Sequence, residues 1–216
     1  VLYDGALGQT IVDAIQRNGG ILTMADLRAY QTIRREPLAL DYRGYTVTVP
    51  APPCAGGVHL LQILRVFEGY DVAGLGYGTA EGLHLLAECF KVAFADRAAY
   101  LGDPAAVQAP LAWLLSPTYA AERRALIDPR QALVARPGVR PVVESNNTTH
   151  VTAADRDGNI ACMTQTINDA FGSKALVPGT GLFLNNTMAL FDPHPGRPNL
   201  VGAGRRMTSS MCPTII

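Results

Sequence analysis

The property that most constrains how this chain can fold is a change of hydrophobic period partway along it. Up to about residue 128 the apolar side chains recur mostly at helical spacing, and beyond Thr148 they alternate as in strands with one buried face. A stretch with Pro137, Gly138 and Pro141, spanning residues 129–144, separates the two regimes and reads as an extended linker. Helices with one apolar stripe and strands with one apolar face bury each other most simply in layers. The expected fold class is therefore α/β, with helices of the first half covering a sheet that contains the strands after Thr148.

Local signals fill in the elements. Residues 5–18 put Leu7, Ile11, Val12 and Ile15 on one stripe, with Gly19-Gly20 as the stop. Thr23 and Asp26 have capping-box spacing and open a short helix through Tyr30. Residues 37–50 alternate around Arg43-Gly44, which predicts a hairpin or bent strand pair. Residues 58–70 carry Leu61, Leu64 and Phe67 on one face, and residues 79–101, capped by Thr79, repeat Leu83, Leu86, Phe90, Ala93 and Phe94. Ser116-Pro117 starts a helix running to about Asp128.

After Thr148, residues 149–155 and 159–168 flank Arg156-Asp157-Gly158, a three-residue loop that ends on glycine. That loop pairs Asp155 with Asn159 and so sets Thr148 opposite Thr166. A two-residue turn would instead bring Ile167 opposite Thr148 and turn Thr166 to the other face.

Composition narrows the function classes. With 216 residues, 48% hydrophobic and 17% charged, the chain can bury a substantial core, and no apolar run approaches the roughly 18–20 residues of a spanning helix. Acidic and basic residues balance at 18 each with no basic stripe, which argues against a nucleic-acid partner. Cys54, Cys89, Cys162 and Cys212 share no C-x-x-C spacing and read as small core residues. Neither they nor His59, His84 and His194 are spaced as metal ligands, so no cofactor is expected and these histidines read as structural. Gly56-Gly57 lacks the Lys-Ser/Thr of a phosphate loop and reads as a tight turn entering a helix.

Both ends read as cut. The chain opens at Val1 without methionine and stops within Pro213-Thr-Ile-Ile216, a run that reads as a buried strand needing neighbours on both sides.

The chemistry concentrates at Glu144-Ser-Asn-Asn-Thr-Thr-His150. A threonine hydroxyl needs an adjacent base to act as a nucleophile, and cutting the chain before Thr148 would supply one as its own α-amino group. Asn146 and Asn147 also head N-x-Thr triplets, a pattern common by chance. Downstream come Thr166-Ile-Asn168, Phe171-Gly172, Asn185-Asn186-Thr-Met and Ser209-Ser210-Met-Cys-Pro-Thr214. In that order they resemble the small-subunit half of the γ-glutamyltranspeptidase family of N-terminal-nucleophile hydrolases. Asn18-Gly-Gly, Asp41-Tyr-Arg-Gly44, Pro52-Pro-Cys-Ala-Gly-Gly57 and Ala95-Asp-Arg-Ala-Ala-Tyr-Leu-Gly-Asp-Pro104 are similar to the end of the large subunit.

The resemblance implies a layered αββα sandwich, incomplete in this chain, with residues 1–147 large-subunit-like and residues 148–216 small-subunit-like parts of one domain. It implies self-cleavage between Asn147 and Thr148, a large/small heterodimer afterwards, and transfer of a γ-glutamyl group from glutathione-like amides to water or an amine. Thr148 would be the nucleophile, and Thr166 would hold its hydroxyl. Asn168 and Thr187 would meet the donor's polar head, and Ser209-Ser210 its α-carboxylate. Bacterial members of the family imply a periplasmic or secreted location. The family's carboxylate-binding arginine and its Gly-Gly oxyanion donors would fall outside residues 1–216.

Two positions depart from the family pattern. Thr187 and Leu190 stand where a glutamine or glutamate and then an aspartate usually grip the donor's ammonium, with Asp192 the nearest substitute. An ammonium stripped of water without a carboxylate costs several kcal/mol. An acylase with the same nucleophile and no α-amino recognition, similar to cephalosporin acylases, is the alternative. An inactive, uncleaved homologue serving as a binding protein is a third reading.

Overall fold

The structure is a computed structural model that describes residues 1–133 and 147–216. Most of the linker reading, residues 129–144, and the Asn146 triplet lie outside the described residues. Seven helices are described, α1 (Ala6–Arg17), α2 (Met24–Ala29), α3 (Ala55–Phe67), α4 (Val72–Leu75), α5 (Ala80–Tyr100), α6 (Leu111–Leu114) and α7 (Pro117–Arg124). The strands are β1 (Leu38–Tyr42), β2 (Tyr45–Val49), β3 (Thr148–Ala154), β4 (Ile160–Thr166), β5 (Leu176–Val177) and β6 (Leu182–Phe183), paired in sequence as three two-stranded sheets.

Local chemistry accounts for most of the boundaries. Thr23 and Asp26 form the reciprocal capping box, with the Thr23 amide donating to the Asp26 carboxylate at 2.8 Å. Thr79 accepts from the Gly82 amide and Ser116 from the Tyr119 amide, satisfying N–H groups that the helices leave without partners. Arg43 and Gly44 both take positive φ (51° and 88°), as the two-residue turn between Tyr42 and Tyr45 requires.

The described residues form two compact units, and each draws on both sides of Thr148. The first comprises residues 1–35, 147–148 and 166–187. Its core is the apolar stripe of α1, where Ile11 and Ala14 pack on Val177 of β5. The second comprises residues 36–133, 149–165 and 188–216, with α3 packed on the β1–β2 hairpin and on α5 and α7. Leu61 of α3 meets Leu40, Val47 and Val49, while Ile63 and Val66 meet Leu85, Cys89 and Ala93 of α5.

One expectation is corrected. Helix α5 does not bury the stripe read from its sequence: Leu83 and Phe90 are exposed, and the buried face carries Leu85, Glu88, Cys89, Val92, Ala93, Asp96 and Arg97. Charged residues on that face are paired, so hydropathy alone points the helix the wrong way. Among the described residues α3 packs on β1–β2 and α1 on β5, and β3–β4 pairs as its own sheet with Val151 and Met163 49% and 57% exposed. Alternation marks an apolar face without naming what covers it. The Pro213–Ile216 run meets Thr48 of β2 through an antiparallel bridge at Ile215.

Candidate active site

The hairpin turn sets the geometry around Thr148. The Asp155 carboxylate accepts from the backbone amides of Asp157 and Asn159, both at 2.9 Å, and Gly158 takes φ of 84°. The Asp155 amide donates to the Asn159 carbonyl, His150 Nδ1 lies 2.8 Å from Thr164 Oγ1, and Thr152 Oγ1 lies 3.5 Å from Cys162 Sγ. These cross-strand contacts have one register, and alternation places Thr148 on the face and at the rung of Thr166.

In the first unit, Thr166 Oγ1 donates to the carbonyl oxygen of Asn147 at 3.1 Å, the carbonyl of the peptide bond that precedes Thr148. Thr166 Oγ1 in turn accepts from the Asn168 backbone amide at 2.9 Å. Amide, hydroxyl and carbonyl thus form a chain, and each bond polarises the next. A donor aimed at a carbonyl oxygen stabilises the negative charge that collects there when a nucleophile adds.

Asn168 lies two residues past the end of β4, 5% exposed, with φ of 78°. It is not a strand residue as the sequence implied; asparagine tolerates this left-handed conformation, and its amide is thereby turned to Thr166. The Asn186 side chain brackets Asp169, accepting from its amide at 3.1 Å and donating to its carboxylate at 2.6 Å. Thr187 commits its hydroxyl proton to Asn185 Oδ1 at 2.5 Å, a local turn bond.

The serine pair belongs to the second unit and is held by long-range contacts. The Ser209 amide donates to Pro53 O at 2.9 Å, and the Gly56 amide donates to Ser209 O at 3.2 Å. Gly56 lies in the first turn of α3 rather than in an entry turn, and a Cβ there would come within 2.3 Å of Ser210 O. Close backbone approach is the reason for glycine at this position. Arg97 Nη1 donates to Ser210 Oγ at 2.6 Å, and Asp103 accepts from the Arg206 amide at 2.8 Å. Met211 N–H donates to Ser209 Oγ at 3.2 Å.

Asp96, beside Arg97, is 1% exposed and accepts from Tyr119 Oη at 2.8 Å, from Gln62 Nε2 at 2.9 Å and from Arg123, tying α5 to α3 and α7. His59 lies on the Phe94 ring at 4.8 Å; burial and then the Arg97 charge push its pKa down to about 3, so it is neutral. The other two singled-out histidines have protein partners, Asp128 O for His84 and the Asp192 carboxylate for His194.

Leu190 is half-buried at the end of a 3₁₀ turn, its carbonyl accepting from Asn199. Asp192 is already engaged: it accepts from the His194 amide at 2.9 Å and the His194 ring at 2.8 Å, and Arg197 stands 4.0 Å away. Burial works against its charge, but the hydrogen bonds from His194 and the nearby Arg197 charge outweigh it and hold the Asp192 carboxyl below the usual range. Among the described residues no cluster of His, Cys, Asp and Glu could hold a metal ion, and no helix is long and apolar enough to cross a membrane.

Sequence reasoning missed Arg97, Asp103 and Gly56 as supports of the serine pair. Their signal was the conjunction of the Ala95-Asp-Arg and Leu101-Gly-Asp stretches with Ser209-Ser210, which spacing along the chain does not reveal.

Residues 1–216, the whole chain, match the family model described as Gamma-glutamyltranspeptidase. The chain belongs to the γ-glutamyltranspeptidase family. Within it, the chain is 48% identical over 212 residues to an Acylase ACY 1 proenzyme of Pseudomonas sp. (strain SE83), covering 98% of this chain and 38% of that protein. It is 40% identical over 227 residues to the Glutathione hydrolase proenzyme of Escherichia coli (strain K12), covering 99% and 39%. A crystal structure of cephalosporin acylase from Bacillus halodurans superposes with a TM-score of 0.84 at 32% identity, covering 99% of this chain and 38% of that one. Helicobacter pylori γ-glutamyltranspeptidase superposes with a TM-score of 0.59 at 37% identity, covering 62% and 38%. The mixed helix and strand fold is thus that of the family's solved members. The chain spans about four-tenths of the length of these relatives.

Proposed function

We propose that the full-length protein is a self-cleaving threonine amidohydrolase and acyltransferase in which Thr148 is the nucleophile. The observation that carries this reading is the hydrogen bond from Thr166 Oγ1 to the Asn147 carbonyl oxygen. Thr148 Oγ adds to that carbonyl carbon, charge collects on the oxygen facing Thr166, and the C–N bond breaks to leave an ester on Thr148. Water opens the ester, giving a carboxylate on Asn147 and a free α-amine on Thr148. With an ordinary pKa of about 7.7–8, a useful fraction of that amine is neutral near pH 7 and takes the hydroxyl proton in the next attack. A donor amide is then cleaved through an acyl-enzyme, and water or an amine accepts the acyl group. Residues 1–147 and 148–216 would belong to the resulting large and small subunits.

Donor class divides two readings. In the first, a γ-glutamyl group is transferred from glutathione-like amides, with Ser209-Ser210 on its carboxylate and Asn168 and Thr187 on its polar head. In the second, the donor keeps the carboxylate but lacks the α-ammonium, as a glutaryl amide does. Three observations favour the second. Leu190 is apolar, Asp192 is already bonded to His194, and Thr187 commits its hydroxyl to Asn185. Its higher identity to the acylase proenzyme points the same way.

Intact mass of the full-length protein after incubation tests self-cleavage, with two fragments expected, one ending at Asn147 and one beginning at Thr148. An uncleaved chain with no amidase activity would support the binding-protein reading instead. The ratio of specificity constants for glutaryl and γ-glutamyl anilides tests the donor class, and a preference for the γ-glutamyl compound would restore the first reading.

A further inference from the structure

Arg97 sits in the last turn of α5, only 4% exposed, with Nη1 2.6 Å from Ser210 Oγ and Nη2 3.4 Å from Thr208 Oγ1. A guanidinium is a fixed fork that cannot lose its charge at working pH. Two of its arms reach the hydroxyls on either side of Ser209, so it braces the segment from behind. The brace is reinforced along the chain, since Asp103 holds the Arg206 amide and Gly56 holds the Ser209 carbonyl.

We infer that Arg97 is a positioning residue for recognition of the donor's carboxylate, acting through Ser210. By donating to Ser210 Oγ the guanidinium fixes that oxygen in place and polarises its O–H bond, and a hydroxyl so polarised is a stronger donor to an anion. It also puts a positive charge one hydrogen bond behind the serine pair in a medium of low dielectric, where charges act more strongly than in water. The inference rests on the proposed role of Ser209-Ser210 at the donor carboxylate. It adds what makes two neutral hydroxyls selective for an anion.

The test compares two donors on the full-length protein, a glutaryl anilide and a butyryl anilide that lacks the terminal carboxylate. Arg97→Met is expected to raise KM for the glutaryl donor about tenfold to a hundredfold, the usual worth of a charge-assisted hydrogen bond. Its kcat changes less, and the butyryl donor is affected about twofold at most. In a Ser210→Ala background Arg97→Met should add little, because the two act in series. Self-cleavage, followed on a denaturing gel, is an independent readout and is expected to proceed. Arg97→Lys keeps the charge but loses the fork, and should show a smaller, equally selective rise. If the Met variant does not fold, the Lys variant carries the test.

Equal losses on both donors, or effects of Arg97 and Ser210 that simply multiply, would reduce Arg97 to a structural residue and overturn the inference. The reading beneath it fails in a different way. If Ser209→Ala and Ser210→Ala leave the glutaryl-to-butyryl ratio unchanged, the serine pair does not bind the carboxylate. If the serines shift the ratio and Arg97 does not, only the present inference is lost.

Discussion

The threonine group and the serine pair are built by opposite means. Around Thr148 the shaping contacts are short in sequence: Thr166 to Asn147 spans 19 positions, and the turn bonds of Asp155 span two to four. Around Ser210 they are long, 113 positions from Arg97 and 103 from Asp103 to Arg206. Thr148 lies on an exposed hairpin strand, whereas Thr208 and Ser209 are buried and their segment is braced by Arg97 and Asp103. A reactive group assembled by a hairpin depends on a turn and a register. A recognition group assembled by buried charges depends on the packing of several helices. Mutations should therefore separate the two.

The largest effect is expected at the nucleophile. Thr148→Ala should remain a single chain without amidase activity, whereas Thr148→Ser keeps the hydroxyl and should cleave more slowly because the β-methyl that restricts its rotamer is gone. Intact mass and anilide hydrolysis read both outcomes. Two normal subunits from the alanine variant would remove Thr148 from the mechanism and dissolve the contrast.

Next comes the charge network of the serine side. Asp96→Ala leaves Arg123, Tyr119 and Gln62 without their shared acceptor, and removing one partner of a buried pair typically costs about 3–5 kcal/mol. Urea unfolding of the precursor measures it. A cost near zero would mean that α5, which carries Arg97, is not held to α3 and α7 by this network.

The same contrast explains what could be read from the sequence. The α1 stripe, the Thr23–Asp26 box, the Arg43-Gly44 turn and the pairing of Asp155 with Asn159 were all legible, since each is decided within a few residues. The face of α5 was not, because Glu88, Asp96 and Arg97 are buried against partners tens of residues away. Thr148 and Thr166 were legible as a facing pair through the turn between them. The bond of Thr166 to the Asn147 carbonyl was not, because strand register fixes which residues face each other and leaves open which atom a hydroxyl meets.

A sharper test of the hairpin side is Thr166→Ala. Loss of one donor to an oxygen that gathers charge usually slows reaction about a hundredfold to a thousandfold, so self-cleavage should slow by that order. Thr166→Ser should restore most of it, because the hydroxyl that accepts from Asn168 and donates to Asn147 is retained. The time course of subunit appearance gives the rates. An alanine variant that cleaves at the normal rate would show that the carbonyl needs no help from Thr166.

The smallest expected effect bears on the serine side's partner in recognition, the ammonium position. Leu190→Asp puts a carboxylate where the family usually has one, while Asp192 stays bonded to His194. A γ-glutamyl donor gains an ion pair there, whereas a glutaryl donor has nothing to pair and meets only an added charge. The two donors are nearly isosteric, so the ratio of their specificity constants cancels general damage to the fold. It should move toward the γ-glutamyl donor by about 1–3 kcal/mol, the range for hydrogen bonds to charged groups. An unchanged ratio in a folded variant would mean that Leu190 does not face the donor. The case for an acylase would then rest on Asp192, Thr187 and the relatives alone, and the serine pair would have to account for donor choice without it.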